Sequence, residues 1–265
     1  MIGSIVHTRL PGRGADPAIV ARDLAEMALR PLGYLDRAVA ASEQGMAIAL
    51  ERGHRFSIVW ASVSRVLALT SFGRWAEAVA CADDALAICK KHGFSRIGKI
   101  LQHRGPALFE LGDEKRGLAD IWRGVALWRE RSGSFFLARN LAKLAEYQLR
   151  VNQVEEARAN LDEAEQLAET TDEKMHLAEI IRLRGRLCQA DGDYDQARVC
   201  FEHAIAQSRE QKARLFELHA ARDLARVAAE AGNATEALAT LRAIVDWFPA
   251  SLDVPMLAEC RALLQ

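Results

Sequence analysis

The spacing of turn residues constrains this chain more than any other feature. Gly33, Gly73, Gly112, Asn152, Gly192 and Gly232 fall 40, 39, 40, 40 and 40 residues apart. Five positions after each stands a small residue: Ala38, Ala78, Gly117, Ala157, Ala197 and Ala237. A second set of breaks, Gly53, Gly93, Gly133, Asp172 and Lys212, falls between the first at about the same interval. Two breaks per period imply two helices per period. Gly or Asn at the first set suits the left-handed backbone that ends a helix, and the small residue lets the second helix lie close against the first. Between breaks the apolar residues recur with helical periodicity and never alternate as in a strand. The expected fold is all-α, a right-handed superhelical array of about six helix pairs.

The pairs are expected at 17–31 with 35–52, 56–71 with 75–92, 96–110 with 114–131, 134–150 with 154–170, 173–190 with 194–211, and 214–230 with 234–248. Asp16-Pro17 offers an N-cap followed by proline at the first helical position. A last helix at about 255–264, opening on Pro255, is expected to cap the stack with Leu257, Leu263 and Leu264. Residues 1–15, with Gly3, Pro11, Gly12 and Gly14, read as an irregular lead-in, and 16–265 as a single repeat domain. Pro106, directly after Gly105, falls mid-helix. It removes one backbone hydrogen bond and is expected to kink the helix, at a cost of about 3 kcal/mol.

The best-preserved period is 183–210, with small residues at Gly185, Ala197 and Ala204 and Phe201 between the last two. That pattern resembles the tetratricopeptide repeat. Gly105, Gly117 and Gly124 repeat it in the third pair, and Ala145, Ala157 and Ala164 in the fourth. The standard period is 34 residues; here each helix is about three residues longer, which adds roughly 4–5 Å and implies a deeper groove. Asp16-Pro17, Leu32-Gly33-Tyr34, Asp36-Arg37-Ala38, Trp247-Phe248, and Asp253 with Pro255 and Leu257 narrow the resemblance. These pieces look like the C-terminal repeat region of bacterial regulators that join a cyclase-like or DNA-binding domain to a STAND-type ATPase. The chain departs from that pattern at Pro106, and at Val254, where a capping Thr is usual. The resemblance implies a regulatory, non-catalytic module that holds a partner or senses a ligand.

Composition narrows the function classes. A formal charge of −1 gives no basic field for nucleic acid or an anionic membrane. No stretch approaches 18 apolar residues, so no membrane span is expected. Cys81, Cys89, Cys188, Cys200 and Cys260 are odd in number, lack CxxC spacing and sit on apolar helical faces. They read as buried thiols of a reducing cytoplasm rather than a disulfide frame or a zinc site.

Two motifs mimic chemistry. Gly93 to Ile100 nearly spells a phosphate-binding loop, but Ile100 stands where a hydroxyl must hold magnesium, and no strand precedes it. It leaves a nucleotide-using enzyme through Gly93–Lys99 as the remote alternative. Asp191, Asp193, Asp195 and Glu202 mimic a calcium loop, but Gln196 occupies the sixth place that needs Gly. Seven scattered histidines form no HExxH. No catalytic residue, metal or cofactor is expected.

The first helix of each pair should line the concave face. That places Trp60 and Phe109 at one end, and Arg139, Arg150, Arg182, Arg186, His219, Arg222 and Arg226 along the rest. Arg182/Arg186 and Arg222/Arg226 are i,i+4 pairs, each projecting from one helical face. Two functions compete for that groove. The first is capture of a protein or peptide, acidic sequences favoured, by arginine forks and an aromatic anchor. The second is sensing of a small peptide or metabolite. The bland account is that these arginines pair with neighbouring glutamates and keep a polar groove soluble.

Overall fold

A computed structural model describes residues 14–265; the lead-in expected over 1–15 lies outside them except for Gly14 and Ala15. Among the described residues the chain is helical throughout, with thirteen helices and no strand. They are α1 (Pro17–Leu29), α2 (Leu35–Arg52), α3 (Arg55–Ser71), α4 (Trp75–His92), α5 (Ile97–Glu110), α6 (Glu114–Ser132) and α7 (Leu137–Arg150). Then follow α8 (Val154–Thr171), α9 (Leu177–Ala190), α10 (Tyr194–Glu210), α11 (Arg214–Glu230), α12 (Thr235–Val245) and α13 (Pro255–Leu263). Six antiparallel pairs and a closing helix match the 40-residue period.

Local chemistry sets the ends. The Asp16 side chain accepts the Ala18 N–H at 2.9 Å and starts α1, with Pro17 in the first turn. Between the two helices of each pair the chain turns through positive φ at Gly33, Gly73, Gly112, Asn152, Gly192 and Gly232. Asn152, Asp172 and Lys212 adopt the same left-handed geometry without glycine, at φ of 60, 54 and 56°. Three boundaries differ from expectation by three residues or more. Helix α7 starts at Leu137, not 134, because Phe136 takes a left-handed φ of 54°. Helix α9 starts at Leu177, with a turn over 175–176, and α12 ends at Val245.

The small residues do what their spacing implies. A Cβ on Gly105 would meet Ile121 Cγ1 at 2.5 Å and the Gly117 carbonyl at 2.6 Å. One on Gly185 would meet the Phe201 ring at 2.6 Å. Backbone therefore packs nearly on backbone within these pairs. Pro106 is buried within α5, which continues as one helix to Glu110.

The core runs through the array as successive clusters. One, around Val59, Val66, Leu86 and Ile100, fills the second pair and its join to α5. Another centres on Ile121, Leu141, Leu161, Ile180 and Leu187. The largest surrounds Phe201, Leu218, Leu241, Phe248 and Leu257, and it also takes in Leu35 from the first pair, with Phe72 packed against it. The start of the array thus packs on its end. The Pro31 carbonyl accepts the Leu215 N–H at 3.0 Å, and the Tyr34 and Trp247 rings lie 5.7 Å apart. Gly33, at φ 91°, lies so near Trp247 that a Cβ would reach its ring at 2.8 Å; Gly73 meets Pro255 at the same distance. Helix α13 caps the sixth pair through Leu257 as expected, and the segment before it also seals the seam. The groove expected from the sequence is, in the structure, a central cavity across which the first pair meets the last.

Candidate functional site: the central cavity

The first helices of the pairs point inward, together with the turn after α1 and the start of α13. They enclose a cavity of about 550 Å³. Arg30, Leu67, Thr70, Gln102, His103 and Pro106 line one side. Arg139, Asn140, Glu146, Arg150, His176 and Glu179 continue around it, and Arg182, Arg186, His219, Arg222, Arg226 and Glu259 complete it.

Seven of the nine residues expected in the groove line this cavity: Arg139, Arg150, Arg182, Arg186, His219, Arg222 and Arg226. The two aromatics do not. Phe109 is 4% exposed and packs edge-on against Tyr147 at 4.9 Å, under the Arg150 guanidinium at 4.4 Å. It is a core residue, because α5 turns that position toward α7 rather than inward. Trp60 is half-buried beneath the Arg96 guanidinium, 3.7 Å from its ring centroid, and donates its Nε1–H to Asp23 at 3.1 Å. Neither is placed to anchor a ligand in the cavity.

Most of the cavity arginines are already engaged. Arg182 is 1% exposed and bonds Asp223 at 2.7 Å, Glu146 at 3.0 Å and Glu179 at 3.1 Å. Arg222 meets Asp223 at 2.7 Å and Glu259 at 3.2 Å; Arg226 pairs with Glu259, and Arg186 lies 3.8 Å from Asp223. Four guanidinium groups here face four carboxylates. Burial works to raise the Glu179 pKa, but Arg182 and His219 outweigh it and hold the carboxyl below its usual range. Asp223 is held low in the same way by Arg222, Arg182 and Arg186. His219 joins the network through Nδ1, 3.2 Å from Glu179. Arg150 pairs with Glu110 at 2.5 Å. In this half the bland account holds: the arginines tie helices together. Arg182 in particular has no free donor face for a partner carboxylate, so replacing it by Glu would put a fourth carboxylate among three.

The other half is different. Lys99, His103, Arg139 and Arg96 make no ion pair among the described residues. Three of the carboxylates around them are occupied, Glu26 by Arg30 at 3.1 Å, Asp23 by Trp60 and Ser64, and Glu146 by Lys143 at 2.8 Å as well as by Arg182, whereas Glu173 keeps one buried oxygen without a partner among the described residues. The other Glu173 oxygen accepts the Phe136 N–H at 3.0 Å. Burial, Arg139 and Arg96 push the Lys99 ammonium well below its usual range. His103 and His176 are pushed down by burial and by the neighbouring cations, and stay neutral. Burial, reinforced by Arg30, brings Arg139 down to about 10, so it keeps its charge at neutral pH. Arg139 also lies over the Phe136 ring at 5.1 Å, beside the left-handed backbone of that residue.

His103, Asn140 and His176 are not among the groove residues expected from the sequence. For His103 the repeat register is the signal that could have found it: Lys99, Arg139, Glu179, His219 and Glu259 are equivalent positions 40 residues apart, and His103 and Lys143 are equivalent in a second register, whereas Asn140 and His176 fall in neither.

The two chemical mimics dissolve. Gly93 ends α4 at φ 69°, and Gly98 lies inside α5, where a Cβ would meet Leu127 at 2.9 Å and the Gly124 carbonyl at 3.1 Å. Lys99 reaches toward Trp128, 5.0 Å from its ring. This segment forms no phosphate loop. Asp191 is held by Arg158 at 2.7 Å, Asp193 caps the Gln196 N–H at 3.0 Å, and Glu202 pairs with Arg198. All five cysteines are free, and burial pushes the Cys260 thiol up to about 12. No helix among the described residues is long and apolar enough to cross a membrane.

No family model matches the chain, and no curated protein matches it. Solved structures do. The apo form of RapI is similar with a TM-score of 0.67 and 14% identity, over 96% of this chain and 86% of its own. NprR in complex with its cognate peptide NprX is similar with a TM-score of 0.68 and 16% identity, over 95% and 72%. A tetratricopeptide repeat protein from Parabacteroides merdae gives 0.52 and 14%, over 94% and 84%. The fold is a tetratricopeptide-like superhelical array. At these identities the likeness is one of fold.

Proposed function

We propose that residues 16–265 act as one non-catalytic regulatory module that takes a peptide or an extended protein segment into the central cavity. The observation that carries this reading is the cavity itself. Inward faces of successive pairs build it, and the packing of the first pair on the last closes it. Repeat arrays use their concave surface for binding. A ring of polar side chains around half-buried Leu67 and Thr70 can read backbone and side chains of an extended chain. NprR, of similar fold, holds a peptide. The end segments that resemble cyclase- and STAND-ATPase-type bacterial regulators suggest the setting, a cytoplasmic signalling protein whose activity such a module would govern. A second reading has support in the volume: about 550 Å³ falls within the range of small-molecule sites, roughly 300–1,000 Å³. A metabolite sensor would therefore use the same cavity.

Selection of displayed random peptides on the purified protein tests the first reading. Leu67→Trp, which fills the cavity from its wall, is expected to reduce the affinity of selected peptides at least tenfold. Trp122→Ala on the exposed face of α6 is expected to leave it unchanged. Equal binding by Leu67→Trp would sink the cavity as the peptide site. A small molecule retained in native mass spectra, with no peptide selected, would favour the metabolite reading.

A further inference from the structure

The distribution of charge around the cavity is uneven in a way that points to the chemistry of its ligand. In the half built by α9, α11 and α13, four arginines face four carboxylates, one of them Glu146 from α7, and each arginine has a carboxylate within 4 Å. In the half built by α5, α7 and the start of α9, Lys99, His103 and Arg139 lack an ion pair among the described residues. Further polar groups there are buried without a partner, one Glu173 oxygen and Arg96 Nε among them. Asn140 is 4% exposed with no hydrogen bond to its Nδ2, and His176 is 8% exposed with none to its Nδ1. Both line the cavity, as do His103 and Arg139.

Such a cluster is unfavourable in isolation. A buried donor without an acceptor costs about 1–3 kcal/mol, and a desolvated cation without a counter-ion costs more. The chain has 36 acidic residues and meets its other cavity arginines with them, yet here Glu173, Glu26 and Asp23 only temper the charge of Arg139 from a distance and form no ion pair with it among the described residues. Residues 1–13 contain no Asp or Glu, so their side chains bring no carboxylate to it. Unsatisfied groups that converge on a cavity are what a site looks like before its ligand arrives. The left-handed Phe136, three residues before Arg139 and beneath its guanidinium, adds local strain at the same place.

We propose that Arg139, His103, Asn140 and His176, with Lys99 behind them, form a subsite for a carboxylate of the bound ligand. This rests on the reading of the cavity as the ligand site, and it names the chemistry that one corner recognises. Arg139 supplies the charge and a planar fork, and the Asn140 amide and the imidazoles supply further donors. A carboxylate arriving there neutralises the cluster and satisfies the orphaned donors together. The carboxylate has two sources, the C-terminus of a peptide or an acidic side chain.

The test uses the whole chain and four probes at low salt: acetyl-tetraalanine, its C-terminal amide, acetyl-Ala-Ala-Glu-Ala-amide, and inorganic phosphate. Binding is followed by calorimetry and by thermal melting. At least one carboxylate peptide is expected to bind at least tenfold tighter than the neutral amide, and which one does so identifies the source. Arg139→Gln is expected to abolish that preference while melting no lower than the wild type, because it removes an unpaired charge. Lys99→Met, the second variant, is expected to weaken the preference and likewise melt no lower. A structural role, such as serving Glu173, would instead lower the melting temperature of Arg139→Gln. That lowering, with the preference intact, would overturn the subsite. Equal binding of acid and amide peptides, or a preference for phosphate alone, would also overturn it. Equal binding would leave the cavity standing as a peptide site, whereas indifference to Leu67→Trp would remove the site altogether.

Discussion

Asp223 is the residue on which the charge network of the cavity depends. It is 2% exposed and accepts from Arg182 at 2.7 Å and from Arg222 at 2.7 and 3.0 Å, with Arg186 nearby. Two effects oppose each other there. Desolvation of an acid and two guanidinium groups is costly, and their mutual attraction at short range offsets it only with good geometry. Removing one partner breaks the balance, since Arg182 stays buried with fewer acceptors. Asp223→Ala is therefore expected to lower stability by about 3 kcal/mol, toward the lower end for a broken buried pair because Glu146, Glu179 and Glu259 remain. Urea unfolding measures it, and a loss below about 1 kcal/mol would show that water replaces the carboxylate. None of this was legible in the sequence. The arginines at 182, 186, 222 and 226 were visible as a stripe, but their partners come from different helices, and only the packing decides which carboxylates arrive. For the same reason Lys99 and Arg139, without an ion pair among the described residues, look no different in sequence from their neutralised neighbours.

Among the elements, α5 and α6 show how the repeat trades helix propensity for closeness. Four glycines, Gly98, Gly105, Gly117 and Gly124, sit at their contact, and each would place a Cβ within 3.0 Å of the facing helix. Glycine costs about 1 kcal/mol relative to alanine in a helix interior. Propensity alone would thus favour Gly105→Ala. Contact forbids it: the new Cβ would lie 2.5 Å from Ile121 Cγ1 and 2.6 Å from the Gly117 carbonyl, and backbone cannot yield as a side-chain tip does. Overpacking typically costs about 1–3 kcal/mol, so Gly105→Ala is expected to destabilise by about 1–2 kcal/mol net of the propensity gain. Chemical denaturation decides the sign, and a stabilised variant would mean that the two helices slide apart freely. This level of organisation was the most legible. Turn residues and small residues repeat at fixed intervals, and each helix interior follows from a local pattern. What escaped was local backbone detail. Phe136 takes a left-handed turn that a bulky aromatic side chain does not advertise, and it shortens α7 by three residues at its start.

At the scale of the molecule the decisive event is closure. A solenoid grows by contacts between neighbours only, and nothing in a 40-residue period says whether its two ends meet. The residues that meet were nonetheless marked. Gly33-Tyr34 and Trp247-Phe248, which carry part of the resemblance to regulator repeat regions, come together at the seam, where Trp247 lies over Gly33, 5.7 Å from the Tyr34 ring and 5.0 Å from Phe248. Their contact joins the first pair to the last across the cavity. Trp247 is 37% exposed, so its truncation removes only part of the roughly 3–5 kcal/mol that a fully buried aromatic supplies. Trp247→Ala is expected to cost about 1–2 kcal/mol and to loosen the seam rather than unfold the chain, because each pair keeps its own core. Small-angle scattering should then show a larger radius of gyration at unchanged helicity. Ligand binding in the cavity should reverse the expansion, since an occupant that touches both halves of the ring favours the closed form by its differential affinity. An unchanged radius of gyration in a folded Trp247→Ala protein would show that the Pro31–Leu215 hydrogen bond and the Leu35 contacts hold the ring shut without the aromatic seam.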